Sequence, residues 1–194
     1  MAYRMSDKYW TPDDSASQFS LSQPQKDENA NRIYTYFTRR GWTKKAICGM
    51  LGNMDVECRM NPRAHSTTAD TYGLVQWHPA SKLINWATTQ NLDYQLGTTQ
   101  CKRINYEENN ELQWAAWAPY TFAEYARVLD DPVSVMARYF MIYYEVAGAD
   151  TLAERQQWAE YYYGIVQMIY DFPLWLVPII SKKYKVLAQS KSQI

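Results

Sequence analysis

TKKAICGMLGNMDVE, residues 43–57, sets Ile47, Met50, Leu51 and Met54 at the i, i+3, i+4, i+7 spacing of a helix packed along one face. Thr43 is a natural N-cap, and Asn61-Pro62 stops the helix within a turn. The apolar stripe, continued by three residues, reaches Glu57. A carboxyl there lies near a helix C-terminus in a partly apolar setting. Desolvation and the negative end of the helix dipole both disfavour its ionised form. A carboxyl kept protonated near neutral pH is what a general acid requires. Helix-end glutamates are more often solvated or salt-bridged, so the spacing alone assigns no role.

Composition narrows the field. The chain has 194 residues, with Lys+Arg and Asp+Glu balanced at 20 each, so it carries no electrostatic footprint for nucleic acid. Aromatic residues make up 15%, including 8 Trp and 17 Tyr, which suits either a ring-rich core or a groove for carbohydrate. Cys48, Cys58 and Cys101 form an odd set without framework spacing, as expected of small buried thiols in a reducing compartment. With two histidines, His65 and His78, and no HExxH or paired CxxC, neither a metal site nor another cofactor is expected. The N-terminal residues lack the apolar region of a signal peptide, and Phe172–Ile180 is too short to span a bilayer.

Working outward from residues 43–57, a helix capped by Asp27 carries Ala30, Ile33, Tyr34 and Phe37 and closes at Gly41. Residues 59–71 read as a polar loop, and Tyr72–Trp77 (YGLVQW) as a strand or tight extended turn. Helical spacing returns over 80–90 and around Cys101, Ile104, Glu108 and Leu112. Thr121-x-x-Glu124 is a capping box. Asp131-Pro132 opens a helix with Val133, Met136, Ala137, Phe140, Met141 and Tyr144 on one face, ended by Gly148. Thr151-x-x-Glu154 opens the last, with Trp158, Tyr162, Ile165, Val166 and Ile169 inward. The fold class is therefore mainly α, with about seven helices and one small extended element. The expected organisation is an N-terminal arm over 1–27, a domain over 28–170, and an apolar then basic extension over 171–194.

Three motifs occur in order: GWTKKAICGMLGNMDVE (41–57) followed by Asn61-Pro62, YGLVQWHP (72–79), and YYEVAG (143–148) followed by LAER (152–155). In combination they resemble the phage tail lysozyme family, whose fold is similar to goose-type lysozyme and lytic transglycosylases. The resemblance covers about residues 29–165. It implies that Glu57 is the general acid cleaving the β-1,4 bond between N-acetylmuramic acid and N-acetylglucosamine. It further implies that Tyr72, Gly73 and Gln76 line the sugar groove. Gly73 would let the backbone approach a ligand, and Gln76 can both donate to and accept from an acetamido group. Trp77 either stacks on a sugar ring or packs beside the strand, and His78 is a further candidate for substrate contact.

The sequence departs from the family pattern after the acid, where the family's Ser is Cys58. A second carboxylate is less plain. Asp70, in the loop before Tyr72, is the candidate base of an inverting hydrolase, whose carboxyls stand roughly 6.5–9.5 Å apart. Without a base, the substrate's own 6-hydroxyl attacks, as in a lytic transglycosylase. The remaining acids read structurally: Glu145 as an anchor, Asp55 as solvated, and Glu107, Glu108 and Glu111 as an exposed helical face.

The expected partners are peptidoglycan glycan strands and other phage tail proteins, contacted through the N-terminal arm or residues 172–194, with no nucleic acid and no stable membrane span. The expected location is the virion, at the tail tip, after synthesis in host cytoplasm. Two alternatives remain open at this point: a free endolysin acting at lysis, and a structural tail knob or plug that keeps the lysozyme fold with little activity.

Overall fold

The computed structural model describes Trp10 and residues 21–169; the rest of the N-terminal arm and the segment Phe172–Ile180 fall outside them. Among the described residues the chain is mainly helical, as the sequence predicts. In order come α1 (Gln23–Thr38), α2 (Lys44–Cys58), a hairpin of β1 (His65–Ser66) and β2 (Thr71–Tyr72), α3 (Ser81–Thr89), α4 (Gly97–Asn109), α5 (Phe122–Tyr125), α6 (Val133–Phe140) and α7 (Leu152–Ile165).

The axis of the domain is α2. Ala46 through Asp55 are all buried, so the helix is enclosed by α1, α6 and α7 rather than packed on one face. Thr43 caps it as expected, accepting from the Ala46 N–H at 3.2 Å while its hydroxyl donates to the Val128 carbonyl at 2.9 Å. Ile47, Met50, Leu51 and Met54 are fully buried, each contributing about 1.5–3 kcal/mol relative to exposure. Two glycines bring the neighbouring helices onto the α2 backbone. A Cβ at Gly49 would stand 2.7 Å from the Met136 backbone of α6, and one at Gly52 would overlap the Arg155 carbonyl of α7.

Among the described residues, many of the aromatic side chains are buried in the core or packed partly against it. Phe37, Trp42, Phe122, Tyr125, Phe140 and Tyr144 interlock there, and the Tyr125 hydroxyl donates to the Ala46 carbonyl at 2.9 Å. Trp10 joins this core from the N-terminal side, its indole N–H donating to Thr98 Oγ1 at 3.0 Å across the bare face of Gly97.

Several expectations are corrected. The first helix begins at Gln23 behind a Ser22/Gln25 capping box, so Asp27 lies inside it rather than capping it. Pro132 is the N-cap of α6, one place earlier than N1, and α6 ends in a π-helical turn, Met141–Glu145, closed by Val146 rather than Gly148. Ile165 is exposed. Asp55 is not solvated. It is fully buried, bonded by Lys26 at 2.8 Å, Arg59 at 3.1 Å and the Tyr162 hydroxyl at 2.5 Å. Glu107 and Glu108 are also buried, each accepting an indole N–H, from Trp77 and Trp42 respectively, at 3.0 Å. Of that trio only Glu111 is exposed, and it accepts the backbone N–H groups of Phe122 and Ala123 at the start of α5.

Candidate active site

Glu57 stands one residue before the end of α2, where Arg59 and Met60 both take left-handed backbone and turn the chain toward the hairpin. Its Oε1 accepts from Arg155 Nη2 of α7 at 2.5 Å, and its side chain remains 22% exposed. Oε2 has no protein partner among the described residues. The setting is thus less apolar than the spacing of α2 implies, because a buried guanidinium lies against the carboxyl.

Arg155 is itself held in place. Its Nη1 donates to Asn53 Oδ1 at 2.8 Å and its Nε to Thr151 Oγ1 at 2.9 Å. Asn53, one turn before Glu57 on α2, donates to the carbonyls of Gly49 at 2.8 Å and Ala137 at 2.9 Å. Every polar atom of that buried amide is used, so α6, α2 and α7 are locked in one chain of contacts that ends at Glu57. Neither Asn53 nor Arg155 was assigned a role from sequence. The available signal was an amide on the buried stripe four residues before the acid.

Glu145 closes the π-helical turn beside this cluster. Its Oε1 is buried and accepts no hydrogen bond among the described residues. Burial pushes its carboxyl well above the usual range, the charge of Glu57 adds to that shift, Arg155 opposes it, and Glu107 adds again.

The hairpin brings other predicted residues together. Tyr72 stacks on His65, meets the edge of Tyr94, and lines with them, Arg63 and Gln95 a cavity of about 290 Å³. Asp70 and His78 sit side by side at the exposed tip, His78 Nδ1 lying 3.4 Å from the Asp70 carbonyl. No hydrogen bond or ion pair joins either to Glu57 among the described residues. The thiol of Cys58 lies 3.2 Å from the Leu74 carbonyl and ties the end of α2 to the segment after β2.

Three candidate groove residues have other work. Trp77 is 2% exposed with its N–H on Glu107, so it packs in the core and does not stack on a sugar. At Gly73, φ is +84° and a Cβ would lie 2.7 Å from Gln100 Oε1, so the close approach there is by the protein's own Gln100. That buried amide accepts from the Leu74 N–H at 2.8 Å and donates to the Pro62 and Tyr94 carbonyls. Gln76 accepts from Thr71 at 2.6 Å and donates to the Ala64 and Gly73 carbonyls, which occupies both its N–H groups in clamping the loop.

The family described as phage tail lysozyme matches residues 28–166. Morphogenesis protein 1 of Bacillus phage B103 is 38% identical over 148 residues, which cover 74% of this chain. The chain spans 40% of the length of that relative. The family match runs from within α1 to the end of α7 and holds Asn53, Glu57, Glu145 and Arg155, and the chain belongs to the phage tail lysozyme family.

Proposed function

We propose that this domain is a tail-associated peptidoglycan glycosidase that cleaves the β-1,4 bond between N-acetylmuramic acid and N-acetylglucosamine, with Glu57 as general acid. The observation that carries this reading is the placing of Glu57: one carboxyl oxygen fixed by a buried arginine, the other open at a partly exposed surface. A fixed carboxyl with a free oxygen can present a proton to a glycosidic oxygen along one direction. Tyr72 and His65 supply a flat, half-exposed wall suited to a sugar ring. Local opening of the host wall during genome entry is the role this chemistry would serve in a virion, with other tail proteins as docking partners.

Mass spectrometry of fragments released from purified peptidoglycan by the wild-type protein and by Glu57→Gln tests the reading. Reducing muramic acid ends identify a hydrolase and bring Asp70 forward as base. Anhydro ends, lighter by one water, identify a lytic transglycosylase in which Glu57 acts as acid and then base. The variant should lose the activity by about 10²–10⁴-fold. Equal release by both proteins would remove Glu57 from the mechanism. A structural tail role with little activity is the second reading, favoured by the relative's name, which speaks of morphogenesis alone. Absence of release from walls of the appropriate host would select it.

A further inference from the structure

The loop between α4 and α5 holds an indole out in solvent. Trp117 is 68% exposed, whereas Trp42 and Trp77 are 3% and 2% exposed. The loop is pinned on both sides of it. The Ala115 N–H donates to the Tyr143 carbonyl at 2.8 Å, Gln113 Nε2 to the Tyr144 carbonyl at 3.4 Å, and the Trp114 indole N–H to the Tyr120 carbonyl at 2.7 Å. Glu111 and Gln113 are both held in left-handed backbone, at φ 48° and 63°, a region that residues other than glycine seldom enter. Strain of this kind gathers at ligand clamps and active sites.

Trp117 does not stand alone. It meets the edge of Tyr143 with ring centroids 5.0 Å apart, Tyr143 lies 5.8 Å from Tyr139, and Tyr139 lies 5.7 Å from Tyr120. The three tyrosines are half-buried, and Trp114, which stacks on Phe122 and touches Tyr143, ties the strip to the core. Single exposed rings are ordinary, but a contiguous exposed strip marks a binding surface. The tyrosines end in polar tips, and the Tyr120 hydroxyl donates to Asp131 Oδ2 at 3.2 Å. The strip therefore offers ring faces and hydroxyls but no charged ring substituent. A pyranose has the matching make-up, with C–H bonds across its faces and hydroxyls around its rim. The sugars of a peptidoglycan strand are also uncharged wherever the lactyl carboxyl carries a stem peptide.

The strip is built on the elements that form the candidate active site. Tyr139 lies on α6, and Tyr143 lies on the π-helical turn Met141–Glu145 that extends it. Asn53, on the helix of Glu57, bonds the Ala137 carbonyl of α6 at 2.9 Å. On the other side, Gln113 accepts from Lys82 Nζ of α3 at 3.0 Å, next to Ala80, whose N–H bonds the Asp70 carbonyl at 2.8 Å. The loop bearing Trp117 thus joins the π-helical turn to the start of α3 behind the hairpin tip. We propose that the strip Trp117–Tyr143–Tyr139–Tyr120 binds the glycan strand of peptidoglycan at sugars outside the pair being cleaved, with Trp117 as its stacking face. This rests on peptidoglycan being the substrate proposed above.

The test uses the full chain carrying Glu57→Gln, to spare the strands, with Trp117→Ala, Trp117→Tyr or Leu129→Ala added. Leu129 is 71% exposed and has no part in the strip. Binding to purified peptidoglycan is read by sedimentation. Binding to a soluble hexamer of β-1,4-linked N-acetylglucosamine, which offers sugars without peptide, is read by calorimetry. Trp117→Ala should weaken both by about tenfold or more, Trp117→Tyr should restore most of the loss, and Leu129→Ala should bind as its parent does. Undiminished binding by Trp117→Ala, or a parent that does not bind the hexamer, would overturn the proposal. A loss on peptidoglycan with the hexamer untouched would assign the strip to stem peptides, and a loss confined to incorporation into particles would assign it to a tail protein; either result overturns it.

A second measurement needs no change at Trp117. In the proton–nitrogen spectrum the hexamer should shift the Trp117 indole N–H and leave those of Trp42 and Trp77, buried on Glu108 and Glu107, in place. An unmoved Trp117 signal at saturating hexamer overturns the proposal even if Trp117→Ala fails to fold. Trp117-dependent binding, alongside a wild type that releases no fragments, would refute the glycosidase reading while confirming the strip as a glycan site.

Discussion

The carbonyl of Arg155 rests against Gly52 where any side chain would stand. This contact sets the height of α7 over α2, and with it the reach of the Arg155 guanidinium to Asn53 and Glu57. Alanine at Gly52 would gain up to about 1 kcal/mol of helix propensity. The overlap is with backbone, which cannot rotate away, so the clash should win and cost about 1–3 kcal/mol. Urea unfolding of Gly52→Ala checks this; an unchanged or raised midpoint would show that α7 is free to shift.

The Asp55 hub should be among the costliest sites in the domain to break. Asp55→Ala leaves the Lys26 ammonium, 8% exposed, without its carboxylate. Removing one partner of a buried ion pair costs about 3–5 kcal/mol. Replacing both, as Lys26→Met with Asp55→Ala, should cost less than the sum of the single changes. A double-mutant cycle by chemical denaturation measures the difference, and strict additivity would contradict the coupling.

All three thiols should be silent in the native protein. Cys48, Cys58 and Cys101 are buried thiols outside any disulfide. Burial pushes the Cys48 thiol up to about 12 and Cys58 well above its usual value. A colorimetric thiol reagent at mildly alkaline pH should find all three only after denaturant is added. Rapid native labelling of Cys58 would mean that the junction between α2 and the hairpin opens.

Glu107 gives stability a pH dependence of defined sign. Burial outweighs Arg103, Tyr144 and Trp77 and raises its carboxyl above 4.5. A group raised on folding stabilises most below its unfolded value, and that benefit fades as pH rises through the folded value. The stability of wild type relative to Glu107→Gln should therefore decline from about pH 4 upward. Thermal melts across that range test it, and a difference that grows with pH would reverse the assignment.

What the sequence made legible was local. Thr43 with the stripe to Met54, and the Thr121/Glu124 box, each depend on residues within a turn or two, and both form as read. The start of α1 was misplaced: Asp27 reads as a cap, whereas the Ser22/Gln25 box opens the helix earlier. The buried acids were illegible because their partners are remote: Trp77 lies 30 residues from Glu107, and Tyr162 lies 107 from Asp55. Charged helix positions read as solvent-facing unless those partners are known. The same holds at the site. The place of Glu57 near the end of α2 could be read from its own helix, whereas the pairing with Arg155 and the clamping roles of Gln76 and Gln100 exist only once distant segments meet.

That remoteness has a temporal side. Arg155 is added 98 residues after Glu57, and its bond to Asn53 spans 102. At translation speeds of about 5–20 residues per second, Glu57 waits some 5–20 s for its arginine. No nascent chain that lacks α7 holds the fixed carboxyl, so ribosome-bound and prematurely terminated products carry Glu57 without the arginine that orients it.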